Sequence, residues 1–193
     1  MRIILESGSP RRRELLSSLG IEFEIDTNTN FKEYFDDSIP FPKIPELMSE
    51  GKSKGFHRPL EEDEILITAD TVVILPEADG QKGEILGKPS GPEDARRMLR
   101  DLSGRVHQVI TAVTIRDKRN CLTFSDTTNV CFKDLSDDEI NYYIGHYSPF
   151  DKAGAYGIQE WIGLVGITRI EGSYFNVVGL PVHRLWEELQ KFL

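Results

Sequence analysis

The sequence predicts an α/β fold, and three observations carry that expectation. Residues 3–5 are a short apolar run that leads through a small-residue turn into leucines at helical spacing. Residues 64–75 are long, apolar and β-branched, as in a strand buried on both faces. Farther on, two Val/Ile/Thr-rich stretches are bracketed by segments with a helical apolar stripe.

At the N-terminus, Ile3, Ile4 and Leu5 read as a buried strand and Ser7-Gly8-Ser9 as a loop. Ser9 can cap a helix, and Pro10 suits the first helical position, where its missing N–H costs nothing. Leu15, Leu16 and Leu19 give the helix its apolar side and Gly20 ends it. Arg11, Arg12 and Arg13 therefore crowd a helix N-terminus, which already carries partial positive charge. That placement suits an anion, most simply phosphate. A solvated basic turn would show the same spacing.

Residues 22–26 alternate as a second strand, and residues 27–45 form a long polar loop with Pro40, Pro42 and Pro45 and the acids Glu33, Asp36 and Asp37. Residues 46–57 are expected to be a helix carrying Lys52 and Lys54, weakened by Gly51 and Gly55. Asp70 interrupts the apolar stretch 64–75. A carboxylate buried there unpaired would cost several kcal/mol, so it must pair, bind metal or face a cavity; a satisfied turn or capping aspartate is the blander possibility. Residues 76–84 look like a hairpin tip, and Gly87-Lys88-Pro89 follows, with Lys88 placed to reach a phosphate or solvent.

Pro92-Glu93-Asp94 opens a helix whose Ala95, Met98, Leu99 and Leu102 form a core stripe closed by Ser103-Gly104. Residues 105–117 and 122–133 read as an antiparallel hairpin that includes a structural His107. Ser136 and Glu139 form a capping box for a helix with Tyr142, Tyr143 and Tyr147. Residues 151–159 are small and irregular, which lets a ligand or backbone approach, and Gln159 there offers both a donor and an acceptor for a base edge. Residues 162–170 are expected to be a strand, 172–176 a turn, and Val182, Leu185, Trp186 and Leu189 the stripe of a last helix.

With 193 residues the chain can bury a sizeable core in one or two small domains. Its net charge of −9 and the lack of interleaved basic and aromatic residues argue against nucleic-acid binding. No apolar run is long enough to span a membrane, and the three apolar residues after Arg2 are too few for a signal peptide. Cys121 and Cys131 fit reduced, packed thiols of a cytoplasmic protein, and no cysteine–histidine metal spacing occurs.

Seven segments in order resemble the Maf family of nucleotide pyrophosphatases, the septum-formation-inhibitor-like proteins. They are Ser7-Gly8-Ser9-Pro10-Arg11-Arg12 with Leu15-Leu16; Lys52 in its helix; Ala69-Asp70-Thr71-Val72-Val73; and Leu86-Gly87-Lys88-Pro89. Residues 102–107, 152–159 and 172–181 complete the set, so the resemblance covers nearly the whole chain as one domain, residues 1–193. It implies an elongated mixed β-sheet flanked by helices with a two-lobed cleft, related to inosine-triphosphate pyrophosphatases, and a homodimer. It implies cleavage of a nucleoside triphosphate to monophosphate and diphosphate with Mg²⁺ or Mn²⁺, removing nucleotides unwanted in nucleic acid. The metal's ligands are not implied.

Within the family, Ala69-Asp70-Thr71 and Ala155-Tyr156-Gly157-Ile158-Gln159 look like the branch acting on dTTP and UTP. By that likeness Asp70 matches the proton acceptor, Ser7, Arg12, Lys52 and Lys88 match phosphate-contacting positions, and Arg11, Thr71 and Gln159 match positions linked to base choice. Two departures stand out. Glu6 occupies a position that is usually small, where a carboxylate would repel triphosphate unless it points away or helps hold metal, and Glu160-Trp161-Ile162-Gly163 replaces an early glycine after Gln159. A rival expectation is a nucleotide-binding regulator of septum formation acting through a protein partner.

Overall fold

The apolar N-terminal run forms strand β1 (Arg2–Glu6), and Ser9 caps helix α1 (Pro10–Ser17) by accepting from the Arg12 N–H, with Pro10 in the first turn. Beyond it comes β2 (Phe23–Ile25), then α2 (Ile44–Gly55) after a 3₁₀ turn at Phe41–Lys43. The structure, a computed structural model, describes residues 1–32, 34, 36, 38–76 and 83–193. The expectations placed on Glu33, Asp37 and most of the 76–84 hairpin tip lie outside those residues.

The 64–75 stretch is a single strand, β3 (Glu64–Leu75), and β4 (Glu84–Leu86) pairs antiparallel with its end. Helix α3 (Pro92–Leu102) buries Ala95, Met98, Leu99 and Leu102 as its stripe foretold. The hairpin is β5 (Val106–Arg116) and β6 (Cys121–Phe132), and α4 (Asp137–Tyr147) opens on the expected capping box. The expected strand over 162–170 is instead α5 (Trp161–Gly166) followed by β7 (Ile167–Glu171). The expected turn over 172–176 is a turn only at its start, because Tyr174–Val178 is the short helix α6. Helix α7 (Val182–Leu189) ends the chain's regular structure, with Leu185 and Leu189 buried and Trp186 exposed.

Among the described residues, seven strands form one mixed sheet in the order β2-β1-β3-β5-β6-β7, with β4 beside β3. β1 is parallel to both neighbours, and its register sets Glu6 opposite Thr68. Side chains alternate along a strand, so Thr68 and Asp70 share a face.

The chain forms two compact units. The first comprises Met1–Thr71, Thr111–Asp126 and Gly179–Leu193. Its core includes Ile4, Phe56, Leu60 and Leu66. Helix α2 is tied to the sheet by hydroxyls: Ser49 bonds the Thr68 carbonyl and the Thr114 hydroxyl, and Thr68 donates to the Ser49 carbonyl at 2.7 Å. The two α2 glycines serve packing. A side chain at either would collide with Phe31: its ring packs against Gly51, and its backbone and Cβ pack against Gly55. The second unit comprises Val72–Ile110 and Thr127–Val178, where α3 packs on α4.

No helix of the described residues is long and apolar enough to cross a membrane. Both cysteines are free thiols, but Cys121 is exposed rather than packed, since it starts β6 at the hairpin turn.

Candidate active site

The sequence-predicted residues of the first unit gather where β1 ends and α1 begins, the crevice end of a parallel strand. Ser7 is buried, and its hydroxyl accepts from the Ser9 N–H at 3.2 Å. Gly8 is exposed, with open space where a side chain would stand. This turn can let an anion approach the backbone N–H groups closely.

Arg12 is the brace of the site. Its Nε donates to the Gly179 carbonyl at 2.8 Å, and its terminal nitrogens donate to the Ala69 carbonyl at 2.8 Å and to the Thr71 hydroxyl at 3.0 Å. A longer contact, 3.5 Å, reaches the Ser7 hydroxyl. One guanidinium thus joins α1, the middle of β3 and the approach to α7, and its fixed charge lies beside the Ser7 turn. Gly179 meets it in a conformation (φ +126°) that favours glycine. Arg11 lies one residue back, half-buried at the start of α1.

Asp70 resolves the question its sequence position raised: it is paired. The Lys52 ammonium of α2 donates to its Oδ1 at 2.6 Å, and both side chains are about one-fifth exposed (18% each). The pair is therefore still reached by solvent, with a carboxylate and a cation side by side. The neighbours of Asp70 in sequence, Ala69 and Thr71, are the ones Arg12 holds, and Thr71 also bonds Thr111 at 2.9 Å. Asp70 is thus set on a rigid stretch of strand.

Glu6, the departure noted in the sequence, is buried at the end of β1, and its Oε2 has no hydrogen-bond partner. Burial pushes its carboxyl up to about 7, against the opposing pull of a Thr29 hydrogen bond and the Lys52 charge. Elsewhere in this unit, sequence reasoning missed Glu64. Two arginines and a backbone N–H converge on its buried carboxylate: Arg58 at 2.7 and 2.9 Å, Arg2 at 2.8 Å and Glu61 N–H at 3.0 Å. The Arg58 hydrogen bonds hold that carboxyl down at about 2. An Arg-x₅-Glu spacing carries no sequence signal for such a pairing.

Lys88 and Gln159 belong to the second unit, and both are exposed. Their segments are tied together, because the Gly154 N–H donates to the Gly87 carbonyl at 3.1 Å. Gly154 takes the left-handed conformation (φ +71°) against Val73, which explains the small-residue run before Gln159. Tyr143 orders the same loop: its hydroxyl donates to Glu160 and accepts from the Gly157 N–H at 3.0 Å. Glu160 in turn meets Lys152 at 3.0 Å. Glu160, one of the sequence departures, is thus a strut of the loop. His107 is buried with Tyr156 at 2.7 Å, and burial holds its imidazole down at about 3, the structural role expected of it.

A cation that accompanies a triphosphate needs few protein ligands, since Mg²⁺ keeps several waters and takes one or two carboxylates plus phosphate oxygens. No cluster of three or more His, Cys, Asp or Glu that could hold a metal ion occurs among the described residues, and the partly exposed carboxylate of Asp70 is the candidate protein oxygen for such an ion.

Comparison with known proteins shows the family of the chain. The family model for Maf-like protein matches residues 2–192. A protein of Phocaeicola vulgatus is 49% identical over 98% of this chain and 95% of its own length, and one of Parabacteroides distasonis is 48% identical over 99% and 96%. A third, from Porphyromonas gingivalis, is 47% identical over 99% and 94%. Each is named dTTP/UTP pyrophosphatase. A solved HAM1 protein of Coxiella burnetii aligns with 68% of this chain and 73% of its own at a TM-score of 0.42 and 13% identity, a level at which no property is carried over.

Proposed function

The chain belongs to the Maf-like protein family, and on that premise we propose that it is a nucleoside triphosphate diphosphatase that hydrolyses dTTP and UTP to monophosphate and pyrophosphate. The observation that carries this reading is near-half identity, end to end, with relatives named for that activity. The geometry supports the chemistry: an anion-binding turn braced by a guanidinium lies in the same unit as a carboxylate–ammonium pair.

In this account the triphosphate lies over the Ser7–Arg12 turn. Backbone N–H groups, Arg12, Lys52 and Lys88 offset its charge, which grows on the leaving oxygens in the transition state. A divalent cation, Mg²⁺ or Mn²⁺, would supply further charge neutralisation on the phosphates, with Asp70 as its protein-side oxygen. Asp70 orients a water and takes its proton. The water oxygen bonds to the α phosphorus, and the bond from that phosphorus to the α–β bridging oxygen breaks. Pyrophosphate leaves with the bond's electron pair. Arg11, Thr71 and Gln159 select the pyrimidine. Gln159 suits that task because its amide can both donate and accept at a base edge. The protein works as a homodimer in this reading.

Release of pyrophosphate from a panel of nucleotides tests the proposal: dTTP, UTP, CTP, the purine triphosphates and 7-methyl-GTP, each with Mg²⁺ or Mn²⁺. The expected result is selective cleavage of dTTP and UTP. Preference for 7-methyl-GTP would overturn the substrate assignment, and no cleavage of any nucleotide by folded, metal-supplied protein would overturn the activity.

A further inference from the structure

The reaction as written leaves Glu6 without a task, although its carboxyl lies inside the site. It ends β1 one residue before the anion-binding turn, is only 5% exposed, and keeps an unpartnered oxygen. Groups from several neighbouring elements act on its charge. Thr29 and Asp26 follow β2, Lys52 stands on α2 and Arg116 ends β5. On β3, Thr68 lies opposite it, and Asp70 follows two residues on along the same face.

Most of these groups are held elsewhere. Asp26 is bonded by His57 at 2.9 Å and by Asn28. Arg116 is anchored on Ser53 through both its side chain and its backbone carbonyl. Thr68 is taken up by Ser49. Lys52 ends a long flexible stem, with its ammonium on Asp70 at 2.6 Å.

We propose that Glu6 is a positioning residue for the Lys52–Asp70 pair: its carboxyl is a second acceptor that draws the Lys52 ammonium partly off Asp70. The proposal rests on the reading of Asp70 as the proton acceptor. An ammonium has three donors and can serve two carboxylates at once. With Glu6 neutral, Lys52 occupies Asp70 Oδ1, an oxygen the attacking water needs. With Glu6 ionised, Lys52 is shared and that oxygen is released to accept from water. Because burial places the Glu6 carboxyl near neutrality, turnover rises with pH through that range.

The test uses the full chain, dTTP and Mg²⁺, with wild type, Glu6→Gln and Glu6→Asp compared across the neutral range. Glutamine is a permanent mimic of the neutral acid. It should abolish the rising limb of kcat and lower kcat on the alkaline side on the order of tenfold. Aspartate restores an ionisable group and should restore a rising limb. In parallel, the Lys52 Cε resonance of lysine-labelled protein should shift through neutrality in wild type and not in Glu6→Gln.

A glutamine variant that keeps the wild-type limb, or loses activity equally at all pH, would overturn the proposal, as would a Lys52 resonance indifferent to Glu6. The spectroscopic arm needs no turnover. Were wild type inactive on dTTP, the functional reading would fall, and the resonance would still decide whether Glu6 governs Lys52.

Discussion

Replacing Arg12 by lysine keeps a positive charge beside the Ser7 turn and removes the fork that braces it. The guanidinium makes three bonds of 3.0 Å or shorter, to the Gly179 and Ala69 carbonyls and the Thr71 hydroxyl. A lysine ammonium on a single stem can keep one of them with good geometry. A hydrogen bond from a charged donor is worth about 1.5–3 kcal/mol, so losing two, less what water and relaxation recover, predicts destabilisation of about 2–4 kcal/mol. Ala69 is almost fully buried, so its carbonyl has little water to turn to. Urea denaturation at neutral pH measures the change as a lower midpoint at constant slope. Steady-state assays should show kcat reduced as well as KM raised, because the same bonds fix Asp70 between Ala69 and Thr71. A variant within about 0.5 kcal/mol of wild type, with kcat intact, would show that charge alone matters and refute the bracing argument.

Asp70→Asn should lower kcat for dTTP by about 10²–10⁴-fold while leaving the far-ultraviolet spectrum and denaturation slope unchanged; near-wild-type turnover would remove Asp70 from the mechanism. Acid should weaken the fold through Glu64, whose carboxyl titrates near 2 when folded against 4.5 when unfolded. Its contribution is fully present above pH 4.5 and lost as pH falls towards 2, worth roughly 3 kcal/mol, and Glu64→Gln should flatten that part of the stability–pH curve. Gly154→Ala forces a side chain into a left-handed conformation 3.2 Å from Val73, and should cost about 1–2 kcal/mol and raise KM for dTTP through the loop that carries Gln159. Gln159→Ala should narrow the gap in kcat/KM between dTTP and purine triphosphates; an unchanged gap would place base selection elsewhere.

Local chemistry made much of the fold legible. A Ser-Pro pair at a helix start, a capping box at Ser136 and Glu139, and the unbroken apolar run of β3 each act within a few residues, so the chain itself records them. The α5 segment deceived because Gly163 and Gly166 interrupt the apolar residues in a way that mimics strand alternation. Gly163 is there for closeness, since a side chain would strike the Ile158 carbonyl. Asn176 looks like a turn residue, yet its amide is buried on the Val109 carbonyl and the Thr128 hydroxyl.

The site was half legible for the same reason. Ser7, Arg11 and Arg12 read as a candidate anion site because their spacing places them at one helix start, where the structure has them. The charge on Asp70 inside an apolar run demanded a partner, and Lys52 is that partner. That Arg12 spends its donors on carbonyls far along the chain, and that Glu6 lies opposite Thr68 near the Lys52 charge, depend on strand register and on the placement of α2. No local pattern encodes those distances.

In the proposed reaction, water attacks the α phosphorus of a pyrimidine triphosphate held by this turn. Hydrolysis of dTTP in heavy-oxygen water, with mass analysis of both products, decides whether it does. Attack at the α phosphorus leaves one labelled oxygen in dTMP and none in pyrophosphate. Label in pyrophosphate, or release of dTDP with labelled phosphate, would contradict it.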